Sequence, residues 1–210
     1  HVATLLAVLL YFGKDWYHLI KDGLTRPRTP QGKTIWYLAL GTVPAGLAGV
    51  LFGDWAETTF RNPLMIAVCL MVFAVILWAA DRKAGNQTST ELSLKTVLLI
   101  GCAQALAIMP GVSRSGITIT AALLLGLSRA ASARVSFLLS APVIGGAAVL
   151  ELHNLSLADI NAPFVWGFIS AFLGALLVIG WLMKFIKTHS FNVFVVYRLL
   201  LGLFIIGFYF

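Results

Sequence analysis

Residues 110 to 118 read Pro110-Gly-Val-Ser-Arg-Ser-Gly-Ile-Thr118, a concentration of groups that suit an anion. Ser113 stands where it can cap a helix starting near Arg114 or Ser115. An uncovered helix start offers free N–H groups and a partial positive charge. Gly111 and Gly116 allow a ligand to approach the backbone closely. Arg114 adds a fixed cation whose planar fork matches phosphate oxygens. Ser113, Ser115 and Thr118 add hydroxyls, and Thr118 follows Arg114 and Ser115 by about one helical turn, so it can share a face with one of them. Together these groups predict an anion site, with geometry that favours phosphate. Gln104, a turn and a half upstream of Pro110, is placed to face the same tip. Ser113 could also serve as a nucleophile, but that role needs an adjacent base, and the chain shows none.

The surroundings of this segment are apolar. Of 210 residues, 60% are hydrophobic and 11% charged, where a soluble domain carries roughly a quarter charged residues. The net charge of +7 is spread over short stretches between apolar runs, so it reads as membrane topology and not as nucleic-acid binding. Cys69 and Cys102 lie mid-run and read as small buried residues; no metal-ligand spacing occurs. The chain opens inside an apolar run without the marks of a signal peptide, and we expect sequence upstream of His1.

A helix needs about 20 residues to cross a bilayer core. Six runs are candidates: 1–20, 34–53, 62–80, 135–152, 163–187 and 191–210. A seventh apolar stretch, 94–128, holds the polar segment at its centre. Pro, Gly, Arg and two Ser do not suit one straight membrane helix, so two half-helices joined at the tip are expected. Broken helices survive at membrane depth only where protein or water covers their backbone. Basic residues cluster at Lys21, Arg26, Arg28 and Lys33, then Arg82, Lys83 and Lys95, then Arg129 and Arg134, then Lys184 and Lys187. The alternate loops carry Asp54 and Glu57 with Arg61, then Glu151 and Asp159. The positive-inside rule places the first set in the cytoplasm, and the alternation works only if 94–128 enters and leaves on one face.

The predicted fold is therefore all-α: a polytopic membrane protein with six transmembrane helices and a re-entrant hairpin. Residues 1–210 form one membrane domain, with 1–93 as the three-helix part of a first repeat. Residues 94–210 form a second repeat that begins with hairpin 94–128. Three crossings per repeat would place the repeats in opposite orientations, as in many transporters. None of the eight acids lies mid-span, so Arg114 lacks an obvious protein counter-ion. Arg198 is expected to snorkel to the cytoplasmic boundary, Arg129 and Arg134 to act as topology charges. Pro44 and Pro142, with Gly46, Gly49, Gly145 and Gly146, suggest kinked or closely packed helices.

The nine residues 110–118 resemble the Pro-Gly-x-Ser-Arg-Ser-x-x-Thr signature of the undecaprenyl-diphosphate phosphatase family, the bacitracin-resistance phosphatases. Gly101-Cys-Ala-Gln104, Gly126-Leu-Ser-Arg129, Ser136 to Pro142 and Tyr197-Arg198 also resemble that family. The resemblance implies hydrolysis of undecaprenyl diphosphate to undecaprenyl phosphate and inorganic phosphate, which recycles the lipid carrier of peptidoglycan synthesis. It implies six crossings and two re-entrant hairpins in the bacterial inner membrane, with a site accessible from the periplasmic side. By the same resemblance, Ser113, Arg114 and Thr118 are the catalytic candidates. Gly111, Ser115, Gly116 and Gln104 are the substrate-binding candidates. A divalent cation, Mg2+ or Ca2+, is implied through glutamates of an N-terminal motif that this chain lacks. The partners implied are a polyprenyl diphosphate and membrane lipid, with a homodimer left open and no nucleic acid. The rival reading is a polyprenyl-phosphate or small-anion transporter or flippase using the same anion site.

Overall fold

The computed structural model describes residues 1–86, 92–152 and 161–209. Glu91, His153 and Asp159, and the side chains of Glu57 and Glu151, lie outside the described residues. The described chain is all-helical. Its α-helices are α1 (Val2–Tyr11), α2 (Gly13–Thr25), α3 (Pro30–Thr59), α4 (Pro63–Arg82), α5 (Leu94–Ala105), α6 (Arg114–Leu124), α7 (Arg129–Leu152), α8 (Ala162–Phe185) and α9 (Asn192–Tyr209). A 3-10 turn, Leu106–Ile108, follows α5 directly.

Five helices are long and apolar enough to cross a membrane: α3, α4, α7, α8 and α9. Of the sixth expected run, 1–20, the apolar part is the shorter helix α1. The run 1–20 divides at Phe12 into α1, ten apolar residues, and α2, which carries Lys14, Asp15, His18, Lys21 and Asp22. Charged groups at that density leave the hydrocarbon, and Asp15 is bonded instead to Arg134 at the start of α7. Side-chain caps mark the starts of several helices. Thr29, Asn62, Ser93 and Asn161 each accept a first-turn N–H, and Pro stands in the first turn of α3, α4 and α8.

Lipid tails are as apolar as leucine, so close van der Waals packing holds membrane helices together. One close crossing joins α3 and α5. A Cβ built on Gly101 would lie 2.0 Å from the Gly41 carbonyl oxygen, so only glycine fits there. The close packing expected at Gly46, Gly49 and Gly146 is not found; nothing described lies within 4 Å of a Cβ at those positions. One core, with Leu38, Val97, Ile100 and Leu139, joins α3, α5 and α7. A second, with Leu77, Leu123 and Phe191, ties α4 and α6 to the start of α9. In a third, small cluster, Val112 and Ile117 pack on Cys69 of α4. Cys102, by contrast, is exposed.

Arg129 and Arg134 are more than topology charges. Asp81, at the end of α4, is 3% exposed. Arg129 Nε donates to its Oδ1 at 2.6 Å and Nη2 to its Oδ2 at 3.1 Å. The Phe191 N–H also donates to Oδ2, at 3.2 Å. This carboxylate thus joins the end of α4, the start of α7 and the entry to α9. Beside it, a Cβ on Gly85 would lie 1.9 Å from the Gly126 carbonyl oxygen. The chain therefore leaves α4 and enters α7 at the same end of the molecule. Asp81→Asn should lower stability by about 1–2 kcal/mol, since a charged acceptor is lost while Arg129 can still turn to water. Denaturant unfolding in micelles would measure this, and unchanged stability would remove the latch role.

Candidate functional site

The segment between α5 and α6 is shaped by its glycine and by a strained serine. Gly111 has φ +92°, and a Cβ there would lie 2.5 Å from the Ile66 carbonyl oxygen of α4. The tip therefore rests directly on α4 backbone, with Val112 fully buried beneath it. Ser113 follows with φ 68° and ψ 112°, the one non-glycine residue with positive φ among the described residues. Such a conformation costs on the order of 1–3 kcal/mol, and strain of this kind gathers at functional sites.

That geometry makes Ser113 the N-cap of α6, as the sequence predicted. Its Oγ accepts the Gly116 N–H at 3.2 Å, and its carbonyl accepts the Ile117 N–H at 2.9 Å. The N–H groups of Arg114 and Ser115, in the first turn, have no acceptor within the helix. Ser113 and Ser115 are exposed, while Arg114 and Gly116 are half-buried. Arg114 has no hydrogen-bond or ion-pair partner among the described residues, which leaves its charge available to an anion.

Thr118 occupies a different place. It is 1% exposed, and its hydroxyl lies 2.7 Å from Ser136 Oγ of α7 and 2.9 Å from the Arg114 carbonyl oxygen. Here Thr118, which the sequence placed among the ligand contacts, fastens α6 to α7 from behind. A helix turn places position 118 on the same face as 114 or 115, but which side of that face meets a neighbour depends on α7. Gln104 is likewise buried, at 2% exposure, on the face of α5 that carries Val97 and Gly101. Neither of its amide atoms has a partner among the described residues.

The residue that sequence reasoning misplaced is Arg198. Instead of reaching the boundary, it is 7% exposed in the middle of α9. Its Nη2 donates to the carbonyl oxygens of Gly111 at 2.8 Å and Val112 at 3.0 Å. Position 198, mid-way along an 18-residue apolar helix, was the available signal, because a central arginine in such a helix faces protein. Ser113, Ser115, Gly116 and Arg198 share a cavity of about 410 Å³. Its remaining walls are apolar, with Leu70 of α4, Leu182 of α8, and Phe194 and Tyr197 of α9 among them. Gly111, Arg114, Thr118 and Gln104 do not line it. Another cavity, about 200 Å³, lies beside the start of α7 around Leu19 and Arg134. Its one arginine is already bonded to Asp15, so it lacks the available cation of the first.

The groups that line the larger cavity can hold a phosphate: the start of α6, two hydroxyls, and the Arg198 guanidinium, which has no carboxylate partner among the described residues. Among the described residues no group of three or more His, Cys, Asp or Glu could hold a metal ion.

Comparison with known proteins agrees with this chemistry. The family model described as bacitracin resistance protein BacA matches residues 1–204. An undecaprenyl-diphosphatase of Elusimicrobium minutum is 61% identical over 206 residues, covering 98% of this chain and 80% of the relative. Undecaprenyl-diphosphatases of Moorella thermoacetica and Pelotomaculum thermopropionicum are 42% and 44% identical, over 99% and 98% of this chain and 80% and 78% of their own lengths.

Proposed function

Because the chain belongs to the bacitracin resistance protein BacA family, we propose that it hydrolyses undecaprenyl diphosphate to undecaprenyl phosphate and inorganic phosphate in a bacterial membrane. The observation that carries this reading is the capped, strained start of α6, set among apolar helices beside two guanidinium groups that no described acid neutralises.

In the proposed reaction a water oxygen bonds to the terminal phosphorus. The bond from that phosphorus to the bridging oxygen breaks, its electron pair stays with undecaprenyl phosphate, and a proton from the attacking water is released to solvent. Phosphoryl transfer depends mainly on positioning and charge stabilisation. Arg114 stabilises charge on the transferred group, while the first-turn N–H groups of α6 and the hydroxyls of Ser113 and Ser115 hold its oxygens. Gly116 keeps the backbone close to the ligand, and Gly111 seats the tip on α4. Thr118 supports the site by holding α6 on Ser136. The described residues do not fit a divalent cation on their own.

The architecture we propose is an inverted repeat, in which 94–128 is a re-entrant hairpin. Helices α5 and α6 span about 18 Å and 17 Å, short of the roughly 30 Å core. The adjacency of Gly85 and Gly126, with the Asp81–Arg129 pair, supports entry and exit on one face. Helix contacts support the symmetry. Exchanging α1 with α7, α3 with α8 and α4 with α9 turns the α3–α7 contact into the α1–α8 contact; both occur. The same exchange leaves the α1–α7 and α4–α9 contacts unchanged, and these also occur. The α5–α6 pair packs on α3, α4 and α7. Its symmetry mate would pack on α8, α9 and α1, where α8 is largely exposed. Under this reading residues 1–93 belong to the first repeat and 94–210 to the second. The basic ends at Lys83 and Arg129 face the cytoplasm, and the site opens towards the periplasm.

Phosphate release from undecaprenyl diphosphate by the purified protein in micelles tests the function. Release above a protein-free control is expected. Diphosphate binding or movement across vesicles without release would favour the transporter reading.

A further inference from the structure

We infer that Arg198 is a substrate-contacting residue of this site: it ties down the tip with one nitrogen and presents another to the phosphate. The assignment deepens the phosphatase reading and rests on it for the ligand's identity. Both hydrogens of Nη2 are used, on the carbonyls of Gly111 and Val112. Nε is buried and has no partner among the described residues. Nη1 makes no described hydrogen bond, and a Cβ built on Gly116 would lie 2.8 Å from it. It therefore lies over the first turn of α6, where Arg198, Ser113, Ser115 and Gly116 line one cavity.

The electrostatics point the same way. Carbonyl dipoles offset only part of what it costs to bury a full positive charge, and no described acid pairs with Arg198. A phosphate oxygen in the cavity would meet the Nη1 hydrogens and the first-turn N–H groups together. Both donate, both carry positive charge, and they converge from two different helices. Arg114 does not line the cavity, so the guanidinium that the cavity offers is that of Arg198. It comes from α9 and faces the first turn of α6, so drawing α9 away from α6 would take the site apart.

The test is binding of inorganic pyrophosphate to the purified protein, measured by calorimetry in micelles, alongside kcat and KM for undecaprenyl diphosphate. Arg198→Gln should weaken pyrophosphate binding about tenfold or more, as expected for a lost hydrogen bond to a charged group. Arg198→Ala should regain binding and turnover when guanidinium is added, which a role confined to holding the fold would not produce. If Arg198→Gln does not fold, Gly116→Ala gives the second reading. Its methyl group would crowd Nη1 and weaken pyrophosphate binding while Arg198 remains. Unchanged pyrophosphate affinity in the folded variants, with turnover intact in wild type, would overturn the contact and leave the hydrolase. Arg198-dependent pyrophosphate binding without any phosphate release from wild type would do the reverse.

Discussion

Arg114→Ala is expected to reduce phosphate release from undecaprenyl diphosphate at least about 100-fold, the typical loss when one preorganised donor to a developing anion is removed. The structure sharpens the reason. Arg114 opens α6, is half-buried, and has no described partner. Its removal therefore breaks no ion pair within the described protein, so the loss should fall on activity and leave unfolding little changed. Arg114→Lys should also be weak, because an ammonium group keeps the charge but loses the planar fork. Steady-state phosphate release, with unfolding measured on the same samples, checks both variants. Near-normal release from Arg114→Ala would remove this residue from the mechanism.

Gly111→Ala is the second substitution expected to act strongly. At φ +92° a side chain is strained, by about 1–2 kcal/mol per left-handed residue. The new methyl would also lie 2.5 Å from the Ile66 carbonyl oxygen and 3.0 Å from Cys69 Cβ. Backbone cannot give way as a flexible side chain can, so the tip must lift from α4. It would carry Ser113 with it and pull the Gly111 and Val112 carbonyls from Arg198. A displacement near 1 Å can cost on the order of 100-fold in rate, and we expect a loss of that size. The helices themselves are not built on residue 111, so helical content by circular dichroism should persist. A Gly111→Ala protein with wild-type turnover would show that the tip's seat on α4 is not needed for the chemistry.

How far these features were legible from the residues depends on the distance over which each is determined. The capping role of Ser113 and the start of α6 at Arg114 were readable because a cap involves only three or four consecutive residues. The spans α3, α4, α7, α8 and α9 were readable because apolar length is a property of a single stretch. The end of α1 was harder to place. Residues 1–20 look continuous until Asp15 is seen to bond Arg134, 119 positions away. Close packing was expected at Gly46 and Gly49 and occurs at Gly41 and Gly101, since a small residue permits a crossing without choosing the partner.

The sequence by itself determined an all-helical membrane protein with a polar, helix-capping motif in its interior, because hydropathy and capping are written over short windows. Only the tertiary structure decided which groups surround that motif. It turned Thr118 onto Ser136 and brought Arg198 of α9 to carbonyls 86 and 87 residues earlier in the chain. The physical reason is that a buried guanidinium goes where acceptors are, and the acceptors become available only when α4, α6 and α9 have packed together.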